Sequence, residues 1–334
     1  MNPFPPSDFA KNSHHSSLLR DLVDFGSNPG GMTARCYVPA KAAAAMPLVV
    51  VLHGCTQSAD GYDHGAGWSR LAGEHGFALL FPQQTRANNA NLCFNWFSPV
   101  DARRGSGEAL SIRQMIAAMV ASHRIDARRI HVTGLSAGGA MASIMLATYP
   151  ELFAGGAIIA GLPFGAARSV NDAFARMRGE GYPADAELAR CVIAASDHRG
   201  PWPRIAVWQG AGDQTVDPSN AERIVAQWLP VHGLAGRAPE CDTVEGSRHR
   251  FWRDAAGRVA VEAYEIPGMG HGVPLHVTGP DGCGAIGPFM LEAGLSSTRR
   301  IAQSWGLTAQ GAGPISGGLK SAMERALHKA GLMR

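Results

Sequence analysis

An α/β architecture, with a mostly parallel sheet covered by helices on both faces, is what this 334-residue sequence predicts. Three observations carry it. Continuous apolar runs recur at Pro47–His53, Phe77–Pro82 and Arg204–Gly210. An unbroken run, unlike an alternating one, fits a strand buried on both faces. Between such runs lie segments with apolar residues at helical spacing, clearest in Glu108–Arg124 and Asn220–Leu229. Finally, a short apolar strand, Ile130–Thr133, runs through Gly134-Leu135-Ser136-Ala137-Gly138 into an alanine-rich helix ending near Tyr149.

The elements follow in order. Residues 1–17 read as a flexible tail, and 18–334 as a single catalytic domain. Leu18–Phe25 and Met32–Val38 read as strands around a Ser27–Gly31 turn, where Asn, Pro and Gly favour reversal. Pro39–Ala45 is a surface loop. The strand from Pro47 is followed by a helix within Gly65–Gly76 and by the strand from Phe77. Gln83–Gly107 is irregular but too aromatic for a plain solvent loop. After the central strand and helix, Ala157–Ala160 forms another strand. Residues 162–202 break the strand–helix rhythm and read as a small helical insertion over the active face. The strand at Arg204 and the helix at Asn220 precede a polar loop or hairpin, Glu240–Gly257. Val259–Ile266 alternates as a final strand, Pro267–Pro274 is a glycine-rich loop, and residues 288–305 and 318–332 read as closing helices.

A Gly-x-Ser-x-Gly between strand and helix is the nucleophile elbow of the α/β-hydrolase fold. A turn this tight leaves no room for side chains at the glycines. It turns Ser136 outward and brings the unpaired N–H groups of a helix start beside the reacting atoms. A serine hydroxyl needs a base, and the base needs an orienting acid. The fold supplies them in the order Ser, Asp or Glu, His. Asp213 lies just past the strand at Arg204, and His271 lies between two glycines after the last strand. Asp217 and His276 are the rivals, and Asp217 before Pro218 equally fits a helix cap. His53 reads as a structural anchor. Ala137 N–H and the N–H of Cys55, or less well of Thr56, are the expected donors to an oxyanion. Phe94, Trp96 and Trp202, with Phe97, are candidates to line a substrate pocket. Asn95 and Gln57 are weaker candidates to anchor a polar substrate atom. Arg104 and Glu108 read as a solvated pair.

Composition narrows the function. With 46% hydrophobic residues a sizeable core is expected. Thirty basic against 27 acidic residues, without a basic patch, argue against nucleic acid. No run of 18 apolar residues implies a membrane span. The first 17 residues lack the basic-then-apolar pattern of a signal peptide. A cytoplasmic protein is therefore expected as the sequence is written, or an extracellular or periplasmic one if a leader was removed. The six cysteines carry no zinc-site spacing, and no metal or organic cofactor is expected. Nothing in the sequence sets an oligomeric state.

The pieces Leu52–Gln57, Phe81–Gln83, Cys93–Phe97, Gly107-Glu108, Val132–Met141, Ala160–Gly165, Val207–Asp213, Val216 and Gln227-Trp228 closely resemble the polyhydroxybutyrate depolymerase family of serine esterases, itself related to feruloyl and acetylxylan esterases. The resemblance covers about residues 30–305 and implies an α/β-hydrolase that cleaves carboxylic esters through an acyl-enzyme. It carries the nucleophile onto Ser136, the acid onto Asp213 and the base onto His271. It also implies a Cys55–Cys93 disulfide, whereas a cytosolic protein would keep both thiols reduced. Gln209 stands where relatives often have histidine. No linker or polymer-binding domain is visible, so short hydroxyalkanoate oligomers or small esters are expected before a solid polymer. Feruloyl or acetylxylan-type esterase is the alternative, with acyltransferase, peptidase or non-catalytic binding protein behind it.

Overall fold

The computed structural model describes residues 17–40 and 45–308. Most of the expected tail, part of the 39–45 loop and the expected helix at 318–332 lie outside the described residues.

The chain order is β1 (Arg20–Asp21), β2 (Thr33–Tyr37), β3 (Met46–Leu52), α1 (Ala59–Ala66), α2 (Trp68–His75), β4 (Ala78–Gln83), α3 (Gly107–Ser122), β5 (Ile125–Leu135), α4 (Ala137–Thr148), β6 (Gly155–Ile159), α5 (Val170–Met177), α6 (Asp185–Ala194), β7 (Arg204–Gly210), α7 (Ser219–Val231), β8 (Glu240–Val244), β9 (Ser247–Arg253), β10 (Val259–Ile266), β11 (Val273–Leu275), β12 (Met290–Glu292) and α8 (Ser297–Ser304). Ten strands form one sheet in the order β1-β2-β4-β3-β5-β6-β7-β10-β9-β8. The six from β4 to β10 run parallel, and antiparallel pairs extend both edges.

The apolar runs now have a physical reason. In β3, Leu48, Val50 and Leu52 enter the core that α3, α4 and α7 cover, while Val49 and Val51 enter the core under α1, α2 and α8. Successive strand residues face opposite sides, so a strand covered twice must be apolar throughout.

The structure corrects several sequence expectations. Of Leu18–Phe25 only Arg20–Asp21 pair as strand. The helix expected within Gly65–Gly76 is α2, and a second helix not expected there, α1, precedes it across a break at Gly67 with φ +75°, where a Cβ would meet Gly284 N at 2.6 Å. Of the two readings left open for the polar stretch from Glu240, loop or hairpin, the structure shows the hairpin, β8–β9. Val259–Ile266 is not the last strand: β11 and β12 follow as a small parallel pair, so residues 288–305 begin with a strand and only then form α8.

The connection order reverses at β3. From there the chain crosses to β4 on one side and then to β5 on the other. Ligand sites of open α/β sheets form at such a switch point, beyond the carboxyl ends of the strands. The register aligns those ends, pairing Leu52 with Gly134, Leu135 with Ile159 and Gly210 with Ile266.

Candidate active site

Ser136 sits between β5 and α4 with φ 57° and ψ −117°, a conformation that L-residues adopt only under constraint. The constraint is visible on both sides. A Cβ at Gly134 would lie 2.3 Å from Gly138 O, and one at Gly138 would lie 2.3 Å from Leu52 O. Ser136 N–H donates to Ile159 O at 2.9 Å, and Ser136 O accepts from Ala140 N–H at 2.8 Å. The turn is thus clamped between β3, β6 and its own helix.

Asp213 follows β7, and its side chain is fully buried. Each carboxylate oxygen takes two donors. Oδ1 accepts from Thr215 N–H at 2.8 Å and Val216 N–H at 2.9 Å; Oδ2 accepts from His271 Nδ1 at 2.8 Å and Gln209 Nε2 at 3.1 Å. Burial works against the charge. The His271 hydrogen bond and charge, then the Val216 and Thr215 amides, outweigh it and hold the carboxyl below its ordinary value. A carboxylate at Nδ1 fixes the neutral ring with its proton there, leaving Nε2 free as a base. The two loops are sewn together: Ala211 N–H donates to Ile266 O and Gly212 N–H to Met269 O, both at 2.9 Å. Phe289 meets the His271 ring edge-on at 5.9 Å.

Ser136, Ala137, Cys55 and His271 line one cavity of about 250 Å³. In the turn after β3, Gly54 N–H donates to Gln57 Oε1, Thr56 N–H to Asn91 O and Gln57 N–H to Gly54 O. Cys55 N–H has none of these bonds, which favours it over Thr56 as an oxyanion donor. Cys55 and Cys93 are disulfide-bonded, joining this turn to the loop between β4 and α3.

That loop hangs on Glu108, which is buried, not solvated. Its Oε1 accepts from the side-chain amides of Gln84, Asn88 and Asn95, and its Oε2 from Asn95 N–H. Burial, then the Asp101 carboxylate, push its pKa up to about 8, against the pull of these donors. Arg104 pairs instead with Glu151 at 2.8 Å. Asn95 and Gln57 are therefore committed within the protein.

Of the expected pocket aromatics, Trp96 and Phe97 line the cavity; Phe94 and Trp202 do not. Phe94 is fully buried against the His53 ring, 5.0 Å away. Trp202 packs edge-on to Trp228 at 6.3 Å and to His198 at 4.9 Å. The insertion expected over the active face supplies much of the remaining wall through Val170, Ala173, Phe174 and Met177 of α5, which, with Phe289, sequence reasoning had not singled out as lining residues. The period of α5 carried this signal, since positions 170, 173, 174 and 177 share one helix face.

The remaining candidates have other partners. Asp217 Oδ1 accepts from Ser219 N–H at 2.9 Å at the start of α7. His276 Nδ1 lies 3.3 Å from Glu292. His53 is buried with Nδ1 on Gly54 O at 2.7 Å and Nε2 accepting from Gln84 N–H at 3.1 Å; burial lowers its pKa to about 4. Among the described residues no group of three or more His, Cys, Asp or Glu side chains is arranged to hold a metal ion.

The family model described as esterase PHB depolymerase matches residues 32–246, more than half of the chain. The chain belongs to this family. Its relatives include the poly(3-hydroxyalkanoate) depolymerase C of Paucimonas lemoignei, 44% identical over 306 residues, which are 90% of this chain and 73% of the relative. The acetylxylan esterase A of Aspergillus oryzae is 29% identical over 265 residues, covering 77% and 85% respectively. The solved acetyl xylan esterase from Aspergillus awamori superposes with a TM-score of 0.73 over 87% of this chain and 99% of that one, at 24% identity, and shares the fold. Like other members of the esterase PHB depolymerase family, the chain is an α/β-hydrolase and a carboxylic ester hydrolase.

Proposed function

We propose that this esterase cleaves short 3-hydroxyalkanoate oligomers through an acyl-enzyme formed on Ser136. The carrying observation is the Asp213–His271 pair at 2.8 Å, opening onto the same cavity as a serine on a constrained strand–helix turn. In this reading Ser136 Oγ attacks the ester carbonyl while His271 Nε2 takes its proton. The oxyanion meets the N–H groups of Cys55 and Ala137, each such donor contributing about 3 kcal/mol to the barrier. Collapse expels the alcohol, which leaves with the proton from His271. Water then attacks the acyl-enzyme by the same route and releases the acid.

The cavity supports the substrate class. It is smaller than the ~300–1,000 Å³ of most ligand pockets, and among the described residues His271 is the one ionisable side chain on a wall otherwise lined by apolar groups and neutral amides and hydroxyls. A short, uncharged acyl unit with a small alkyl branch fits it. The 44% identical depolymerase supports the same class. The acetylxylan esterase relative favours a second reading, removal of acetyl or other acyl groups from a sugar polymer. The Cys55–Cys93 bridge supports an oxidising compartment over the cytosol.

The test is hydrolysis by the wild type and by Ser136→Ala of hydroxybutyrate dimer and trimer, an acetylated xylo-oligosaccharide and methyl ferulate. Serine-dependent preference for the hydroxybutyrate oligomers is expected, with at least about a thousandfold loss in Ser136→Ala. Wild-type turnover by that variant overturns the mechanism. Preference for the acetylated sugar or the ferulate overturns the substrate class.

A further inference from the structure

Gln209 lies in β7, buried, four residues before Asp213. Its Nε2 is 3.1 Å from Asp213 Oδ2, 3.2 Å from Val216 O and 3.3 Å from Gly210 O. All three neighbours are acceptors, so the side-chain amide has one sensible orientation, NH₂ inward. Two amide protons serve three acceptors, and the charged one attracts them most strongly. We propose that Gln209 is a positioning residue of the catalytic acid: its amide holds the same oxygen of Asp213 that orients His271, and divides that oxygen's charge between two donors. The inference rests on the Ser136–Asp213–His271 reading above.

The consequences follow from the geometry. The carboxylate is fixed at both oxygens, Oδ1 by two backbone amides and Oδ2 by His271 and Gln209. Without the Gln209 donor, Oδ2 is free to swing about the Oδ1 bonds. More of its negative charge also falls on His271, which stabilises the protonated ring. A base must be neutral to accept a proton, so the acid limb of the kcat/KM profile moves to higher pH. On the neighbouring strand β10 the register partner of Gln209 is Glu265, which faces Arg248 at 3.7 Å and also interacts with Arg250. The bond to Val216 O matters too, because Val216 lines the cavity and gives Asp213 one of its amides.

The experiment compares Gln209→Met, similar in length but without a donor, with Gln209→His, whose ring retains an N–H. Each is measured alone and in the Asp213→Asn background. Gln209→Met is expected to lower kcat about tenfold with KM nearly unchanged, to shift the acid limb upward, and to have little further effect once Asp213 is Asn. Gln209→His is expected to restore much of kcat and the wild-type limb. An equal loss in both backgrounds, or an unmoved acid limb, overturns the proposal and leaves Gln209 a packing residue. Should Gln209→Met not fold, Gln209→Asn, which withdraws the amide by one methylene, carries the same predictions and the same refutation. The reading beneath is tested separately by Ser136→Ala: if that variant is inactive while the Gln209 variants behave as wild type, this inference alone fails.

Discussion

Asp213 Oδ2 is where the chemistry of the site is most concentrated, since the orientation of His271 depends on one 2.8 Å bond to it. Asp213→Asn is expected to lower kcat by about 10⁴-fold with the fold intact, because a neutral amide no longer fixes the ring with Nε2 free. Steady-state kinetics beside a circular dichroism spectrum checks this. At this scale motif, chain order and strand ends all pointed to Ser136, Asp213 and His271, and the structure brings Asp213 to His271 and places His271 and Ser136 on one cavity. The sequence showed the pocket poorly. Phe94 and Trp96 are two apart in one loop, yet one packs on His53 in the core and the other faces the cavity. An irregular loop has no period from which the direction of a side chain can be read. Glu108 misled for a related reason: its partners Gln84, Asn88 and Asn95 are distant in sequence, whereas Arg104 was near and pairs elsewhere.

The loop between β4 and α3 is held at two points, by Glu108 from α3 and by the Cys55–Cys93 bridge from the turn after β3. Above about pH 8, where Glu108 is the carboxylate, Glu108→Gln places an amide NH₂ among groups that already donate, so at least one buried donor loses its acceptor at a cost of about 1–3 kcal/mol. Denaturant unfolding of wild type and variant measures it. The bridge joins cysteines 38 residues apart, for which chain entropy gives about 4 kcal/mol. Because Cys55 also carries an expected oxyanion donor, reduction is expected to lower kcat at denaturant concentrations where the protein is still folded. Activity and tryptophan fluorescence followed together during reduction check the order. Helices and strands were legible wherever one face or two was buried. Gly67 was not, because the break between α1 and α2 is imposed by Gly284 and Cys283 from a distant loop.

Over the whole molecule, stability is expected to fall on both sides of neutrality, through different groups. Asp213 is held below its ordinary carboxylate value, so its contribution is present above that value and lost as pH falls through the depressed one. His249 acts in the opposite sense. Burial disfavours its charge, but Glu262 at 2.9 Å and Asp242 at 2.8 Å outweigh this and raise its pKa above 6.5. Its contribution is complete below 6.5 and is lost as pH rises through the raised value. Thermal unfolding from pH 3 to 9 should therefore show Asp213→Asn losing less than wild type at the acid end, and His249→Gln losing less at the alkaline end. Parallel curves in either comparison contradict the assignment. The parallel centre of the sheet was legible as unbroken apolar runs. The antiparallel edge that carries His249 was legible only as a polar loop or hairpin, since β8 is exposed along nearly its whole length and holds few apolar residues.

The stitching of the loop after β7 to the loop after β10 has a mechanical meaning. A Cβ at Gly210 would lie 2.3 Å from Met269 O and 2.7 Å from Gly270 O, so neither loop can shift without carrying the other. Asp213 and His271 therefore form one rigid body and the Ser136 turn, clamped by β3 and β6, forms a second. Moving one loop therefore displaces the other, and what the packing leaves to vary is the placement of this pair against the Ser136 turn.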